Sequence, residues 1–223
     1  MGTITEKYKN KTYIRYIPRC HEVLDQFIKF INSDILLKSV SFLNSSVYFW
    51  DIDFHSKWGL SSDNTPPHQD SFLKCLSDNS PHMLTCYIPL TEIGMNSNPM
   101  HIIRGSYKSK TMKHHRSKKL GFSSVIAEKE DLLPKRLLIN EYPVLLSPGD
   151  AFFFHGKTIH YSKSPTSKIS NLRRMAIAIR IIGCNAKFSE KRTKEYLANV
   201  RYNRQYSIKK GLTEFTPKKI RTI

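Results

Sequence analysis

Cysteine is scarce and scattered. The chain has 223 residues and only four cysteines, Cys20, Cys75, Cys86 and Cys184, with no CxxC pair among them. That argues against structural zinc and against a disulfide-stapled extracellular scaffold, and for a reducing, cytoplasmic setting. Long apolar runs are absent as well. No stretch approaches the ~18–20 residues a membrane-spanning helix needs. The N-terminal MGTITEKYKNKTYIR carries charge without a following apolar core, so no secretory signal is expected. There is no internal repeat and no long Gly/Ser- or Pro-rich linker, which favours one domain over residues 1–223.

Acidic residues are in short supply, 18 against 36 Lys and Arg, for a formal net charge of +18. The imbalance is local. Residues 1–100 hold 9 basic and 10 acidic residues, a net of −1, whereas residues 101–223 hold 27 and 8, a net of +19. An anionic partner fits such a half: a phosphorylated or carboxylated substrate, nucleic acid or an acidic protein surface. The competing reading is a solvated lysine-rich surface. The stretch 104–119, RGSYKSKTMKHHRSKK, has no acidic residue and no apolar period. It is expected to form an exposed loop, either solvated or covering an active site, with His114 and His115 as loop residues.

What is present is a β-rich pattern. Residues 21–32 place Val23, Leu24, Phe27, Ile28 and Ile31 at helical spacing, which predicts an amphipathic helix. Beyond it come short β-branched or aromatic runs at 47–50, 84–88, 101–103, 142–146, 151–154 and 175–179. They are punctuated by Asn64-Thr-Pro-Pro67, Asn96-Ser-Asn-Pro99 and Ser147-Pro-Gly-Asp150. Many short strands with turn signals predict an antiparallel sandwich or barrel. Residues 187–200 predict a charged helix with Ser189 as N-cap. The mainly β core is thus expected over roughly 45–185, followed by a basic C-terminal extension over 186–223.

The sharpest chemical feature is His68-Gln69-Asp70. Residues i and i+2 of a strand share a face, so an imidazole and a carboxylate point the same way. A third ligand is offered by either His155 or His160. Two His and one carboxylate occupy one face of an octahedral metal and leave three positions open, an arrangement suited to non-haem Fe(II).

Three blocks together resemble the phytanoyl-CoA dioxygenase-like branch of the Fe(II)/2-oxoglutarate oxygenases. Pro67-His-Gln-Asp70 resembles the family's HQD. Residues 96–108, NSNPMHIIRGSYK, resemble its segment ending in Gly-Ser, kept here as Gly105-Ser106. PGDAFFFHGKTIHYS followed by RRMAIAIR over 173–180 resembles its GD-x-x-x-FH-x-x-x-x-H-x-S and R-x-A. The resemblance implies a double-stranded β-helix (jelly-roll, cupin-like) core with flanking helices. It makes His68, Asp70 and His160 the iron ligands, with His155 beside the site. It implies Fe(II) as cofactor, 2-oxoglutarate and O₂ as co-substrates, and succinate and CO₂ as products. An arginine after the last ligand would pair with the far carboxylate of 2-oxoglutarate, a task suited to a guanidinium fork. Arg173 and Arg174 compete for it, and R-x-A favours Arg174. Departures are Arg104, Tyr107 and Tyr161, and the interval from His160 to Arg174.

With Asp70 kept, hydroxylation is the expected outcome, of a small or carrier-linked substrate that is anionic if the basic loop covers the site. Two alternatives stand beside it: a nucleic-acid dealkylase, for which Arg174 and Arg180 supply an R-x₅-R spacing, and a jelly-roll binding protein without catalysis. Asp150 reads as a turn residue, Trp50 and Trp58 as packing beside the sheet, and Cys86 as a small buried hydrophobe. Thr85 or Tyr87 could face the 2-oxoglutarate pocket, depending on strand register.

Overall fold

The computed structural model describes residues 3–8, 10–22, 24–43, 46–58, 64–70, 75–76, 83–117, 122, 124–163, 173–209 and 214–215. The chain opens with strands β1 (Thr3–Tyr8) and β2 (Lys11–Ile17), then helices α1 (Asp25–Ile31) and α2 (Asp34–Ser39). Strands β3 (Val47–Trp58), β4 (Thr65–His68), β5 (Met83–Pro89) and β6 (Met100–Ile103) follow, then β7 (His115–Arg116) and β8 (Ser124–Val125). After helix α3 (Lys135–Leu138) come β9 (Glu141–Val144), β10 (Phe152–His155), β11 (His160–Ser162) and β12 (Arg173–Gly183), then α4 (Glu190–Lys209) and β13 (Glu214–Phe215).

Two antiparallel sheets form the body. The larger has the order β10-β5-β12-β3-β2-β1-β13 and the smaller β4-β11-β6-β9, while β7 and β8 make a separate pair. Strands β3–β6 and β9–β12 divide four and four between the two sheets, which is the double-stranded β-helix. The large sheet also takes in β1, β2 and β13, outside the expected 45–185.

Register explains why the large sheet has two unlike faces. Cross-strand partners include Arg174↔Lys57, Ala176↔His55, Ala178↔Asp53 and Arg180↔Asp51 on one side of β12, and Ala178↔Tyr87 and Arg180↔Thr85 on the other. With a period of two, these residues all point to one face. The opposite face carries Ile52, Cys86, Ile177, Ile179 and Ile181, buried against Phe27, Phe30, Ile31, Leu36 and Val40 of the α1–α2 layer. Between the sheets, Tyr87, Phe154, Ala176 and Ala178 of the large sheet pack on Met100, Ile102 and Val144 of the small one. The outer side of the small sheet is closed by Ile103, Ile159 and Tyr161 with Ala127 and Leu133.

Several expectations need adjusting. The predicted helix over 21–32 is shorter: Cys20–Glu22 forms a separate 3-10 turn, and the extended backbone of Leu24 (φ −133, ψ 107) delays α1 to Asp25. Val23 lies outside the described residues. Ser33 then caps α2, its hydroxyl accepting from Leu36 N–H. Ahead of α1 the chain forms a strand hairpin that was not expected, turning at Asn10 with φ 62, a conformation asparagine tolerates. Strand β3 runs eight residues past Trp50 because Asp51, Asp53, His55 and Lys57 alternate with Ile52 and Phe54. Its polar inward face leaves no apolar run to mark it in the sequence. The charged helix is present as α4; Arg192 N–H meets the Ser189 hydroxyl at 3.4 Å, and the helix runs on to Lys209. Within the basic stretch, Ser106–Lys108 makes a 3-10 turn and His115–Arg116 the strand β7; residues 118 and 119 lie outside the described residues. No helix among the described residues is long and apolar enough to cross a membrane.

Candidate active site

Strands β4 and β11 are hydrogen-bonded neighbours in the register His160↔His68, so the two imidazoles lie opposite one another with ring centroids 4.1 Å apart. Asp70 follows β4, its N–H bonded to Gly156 O at 3.0 Å. The ligand atoms of His68, Asp70 and His160 all fall within 4.8 Å of one another. Among the described residues this is the one such cluster of three.

The donor set fits a divalent transition metal. His68 Nδ1 donates to Pro66 O at 2.8 Å and His160 Nδ1 to Thr158 O at 2.9 Å. Each bond spends Nδ1–H and leaves Nε2 to ligate. Burial holds the His68 imidazolium well below its ordinary pKa, and the neighbouring His160 lowers it further. Burial also lowers His160, against the pull of Asp70. Both rings are therefore neutral near pH 7, the form a metal needs. Asp70 is 2% exposed and its Oδ2 accepts from Thr85 Oγ1 at 2.6 Å.

His155, the other candidate for third ligand, lies apart from the cluster. It ends β10 in the large sheet, its Nδ1 accepts from Lys157 N–H at 3.0 Å, and its ring stacks on Tyr107 at 5.8 Å. The two arginines also separate. Arg173 is exposed and lies over the Trp58 ring at 4.3 Å, whereas Arg174 is 7% exposed and donates to Asn98 O. On the same face Lys57 donates to the Ser162 hydroxyl, which also accepts from Thr65 N–H at 3.1 Å. Three cations, Arg180, Arg174 and Lys57, bear on His55. With burial as the largest cause, they take its pKa down to about 4 despite Asp53.

Both residues left open on β5 face inward. Thr85 reaches Asp70, and Tyr87 packs beside Phe154 and Ala178. The Gly105-Ser106 pair has a local purpose. Gly105 takes φ 76, which glycine adopts without a Cβ clash. The turn sets the Ser106 hydroxyl to donate to Ile103 O at 2.7 Å and accept from Ile159 N–H at 2.9 Å, just before His160. Arg104 lies exposed over Tyr142, and Tyr161 is buried on the outer side with its ring stacked on His101.

Gln69 turns away from its two neighbours. Its Nε2 donates to Lys157 O at 2.8 Å, its Oε1 accepts from Met112 N–H at 2.9 Å, and its own N–H meets His114 Nε2 at 3.2 Å. The basic loop is thereby fastened beside the cluster, a connection that composition alone does not reveal. His115 instead faces Glu128 at 3.7 Å. Asp150 caps its turn by accepting from Ser147 N–H at 2.8 Å. Trp50 stacks on Phe188, and Trp58 packs against Tyr13 with the rings tilted at 33°. Cys86 is fully buried, and burial pushes its thiol up to about 12.

The family model for phytanoyl-CoA dioxygenase (PhyH) matches residues 11–175. The chain belongs to the PhyH family. It therefore serves the iron and 2-oxoglutarate chemistry of that family, and the His-Asp-His cluster is a site of the right composition for it. Solved structures agree in fold. The epimerase SnoN, in complex with Fe3+, alpha ketoglutarate and nogalamycin RO, is 16% identical with a TM-score of 0.62, covering 83% of this chain and 70% of SnoN. EctD from S. alaskensis is 18% identical with a TM-score of 0.65, covering 85% of this chain and 63% of EctD. The non-heme alpha ketoglutarate dependent carbocyclase SnoK from nogalamycin biosynthesis is 18% identical with a TM-score of 0.60, covering 78% and 66%. This PhyH chain thus spans about two thirds of the length of these neighbours. No curated protein matches it by sequence.

Proposed function

We propose that this PhyH chain is an Fe(II)- and 2-oxoglutarate-dependent hydroxylase of an anionic small molecule, free or carrier-linked. The observation that carries the reading is the convergence of His68, Asp70 and His160 on one point between the sheets. When bound there, iron supplies the redox chemistry that couples conversion of 2-oxoglutarate and O₂ to succinate and CO₂ with oxidation of a substrate C–H bond.

The chain's own groups do the rest. The two imidazoles offer Nε2 in fixed orientation. Asp70 would supply the one carboxylate to the metal, the residue type that suits oxygen transfer rather than halogenation. Arg174 is the residue we assign to the far carboxylate of 2-oxoglutarate. It is buried on the inward face, where a guanidinium–carboxylate pair is shielded from water; Arg173 is spent on Trp58 at the surface. Exposed Arg104, Lys108, Lys110, Lys113 and Arg116 belong to the loop fastened by Gln69, and their charge selects an anionic substrate.

The neighbours' printed activities include epimerisation and ring closure, so product analysis is the deciding test. The chain would be incubated with Fe(II), 2-oxoglutarate and ¹⁸O₂ against phosphorylated, carboxylated and carrier-thioester substrates, with a methylated oligonucleotide alongside. Succinate formation with one ¹⁸O atom gained by an anionic small or carrier-linked product is expected. Succinate with an isotope-free, isomerised or cyclised product would replace hydroxylation. Oxidation of the oligonucleotide alone would replace the substrate class.

A further inference from the structure

The three ligands are held in two different ways. His68 and His160 are each pinned by a carbonyl two residues back on their own segment. Asp70 lies beyond the end of β4 and takes its orientation from the opposite sheet. There Thr85 and Arg180, direct cross-strand partners on β5 and β12, stand against its two oxygens. Thr85 Oγ1 donates to Oδ2 at 2.6 Å, and Arg180 Nε lies 3.5 Å from Oδ1.

Arg180 is itself held. Its Nη1 donates to Asp53 Oδ2 at 2.6 Å and sits 3.9 Å from Asp51. Asp53 is 2% exposed. It also accepts from Tyr16 O–H at 2.9 Å and from Arg19 N–H at 3.1 Å, both contributed by the N-terminal hairpin and the turn after it. A charge-assisted path therefore runs from β2 through Asp53 on β3 and Arg180 on β12 to the single carboxylate of the metal cluster. One guanidinium with Nε and Nη1 turned to different carboxylates is a fork that a lysine cannot reproduce.

We infer that Arg180 is a positioning residue for Asp70, and that Asp53 and Tyr16 set its position, so that the N-terminal hairpin is part of the metal site. The inference rests on the reading of His68, Asp70 and His160 as metal ligands. Partners one step behind a ligand typically contribute 10–100-fold in metal affinity, and that range is expected for Arg180. Tyr16 acts one hydrogen bond further back and is expected to contribute about two- to ten-fold.

The test is a Co(II) titration of the full metal-free chain, read by the visible absorption of the bound ion. Wild type, Arg180→Gln, Arg180→Lys, Tyr16→Phe and His68→Ala are compared, with the thermal midpoint of each metal-free protein measured in parallel. Arg180→Gln should weaken Co(II) about 10–100-fold and alter the absorption envelope. Arg180→Lys should recover folding stability more fully than affinity, and Tyr16→Phe should shift affinity in the same direction by less. Should Arg180→Gln not fold, Tyr16→Phe decides. Variants that change the thermal midpoint yet bind Co(II) with wild-type affinity and spectrum would make the network a scaffold only and overturn the inference. A wild type that binds no better than His68→Ala would overturn the metal-site reading and this inference with it.

Discussion

The two sheets divide the work unequally. The small sheet is built of strands only three or four residues long, yet β4 and β11 deliver both imidazoles and the lead-in to Asp70. The large sheet, with β3 and β12 of twelve and eleven residues, contributes none of the three clustered residues. It presents a charged inward face, with Lys57, Arg174 and Arg180 among Asp51, Asp53 and Thr85, that bears on the ligands and on the space beside them. Short strands suffice where the geometry is local. Long, strongly paired strands are needed to hold charges in a low-dielectric interior, where each must be matched or neutralised.

The largest expected effect breaks the small sheet's share. Asp70→Ala or His160→Ala should abolish detectable metal binding and cut succinate formation by roughly a thousandfold or more, measured by Co(II) titration and succinate assay. Next comes the large sheet's contribution to the co-substrate. Arg174→Leu should raise the KM for 2-oxoglutarate by about 100-fold with a smaller change in kcat, whereas Arg173→Ala should stay within about twofold. Equal effects of the two would dissolve the distinction between inward and outward arginine.

A third prediction separates stability from chemistry. Burial and the neighbouring Asp53 raise the Asp51 carboxyl from its ordinary value to about 7, against the pull of Arg180. An unfolded chain releases this proton near pH 4, while the native protein retains it until about 7. Native stability is therefore lost as pH rises through that window. Asp51→Asn should be stabilising by about 1–2 kcal/mol at pH 8, with the gain shrinking towards pH 4, as followed by thermal melts. The smallest effect belongs to the loop tied to the small sheet. Replacing Lys108, Lys110 and Lys113 by Ser should raise the KM of an anionic substrate several-fold in low salt. Stability should change by no more than about 0.5 kcal/mol.

The same division governs how much could be read from the chain. His68 and Asp70 stand two apart, and the Gly-Ser and distal-histidine blocks are contiguous, so the family and the fold class are legible, as is the trio His68, Asp70 and His160 that the fold brings together. His155 and His160 are equivalent by residue type; the family resemblance favours His160, and the pairing of β11 with β4, against β10 with β5, is what sets it opposite His68. The Arg180 network is not legible in the sequence because its members come from four strands, and no local pattern connects Tyr16 to Asp53 or Asp53 to Arg180. A period-two signal was present in Asp51, Asp53, His55 and Lys57. A polar inward face looks like a solvated one until something is packed over it. The N-terminal hairpin was missed for a related reason: its first strand pairs with β2 and β13 at the far end of the sheet, with little apolar surface to advertise it.

The pairing of His160 with His68 also bears on assembly. Side chains alternate along a strand, so a slip of β11 by one residue would send His160 to the wrong side and bring Tyr161 inward. A bound ion rewards one register only, and its binding energy adds to the stability of that register alone. A metal held by His68 and His160 would therefore check the pairing of two strands that lie far apart in the chain: with β4 and β11 out of step, the two imidazoles would no longer face each other.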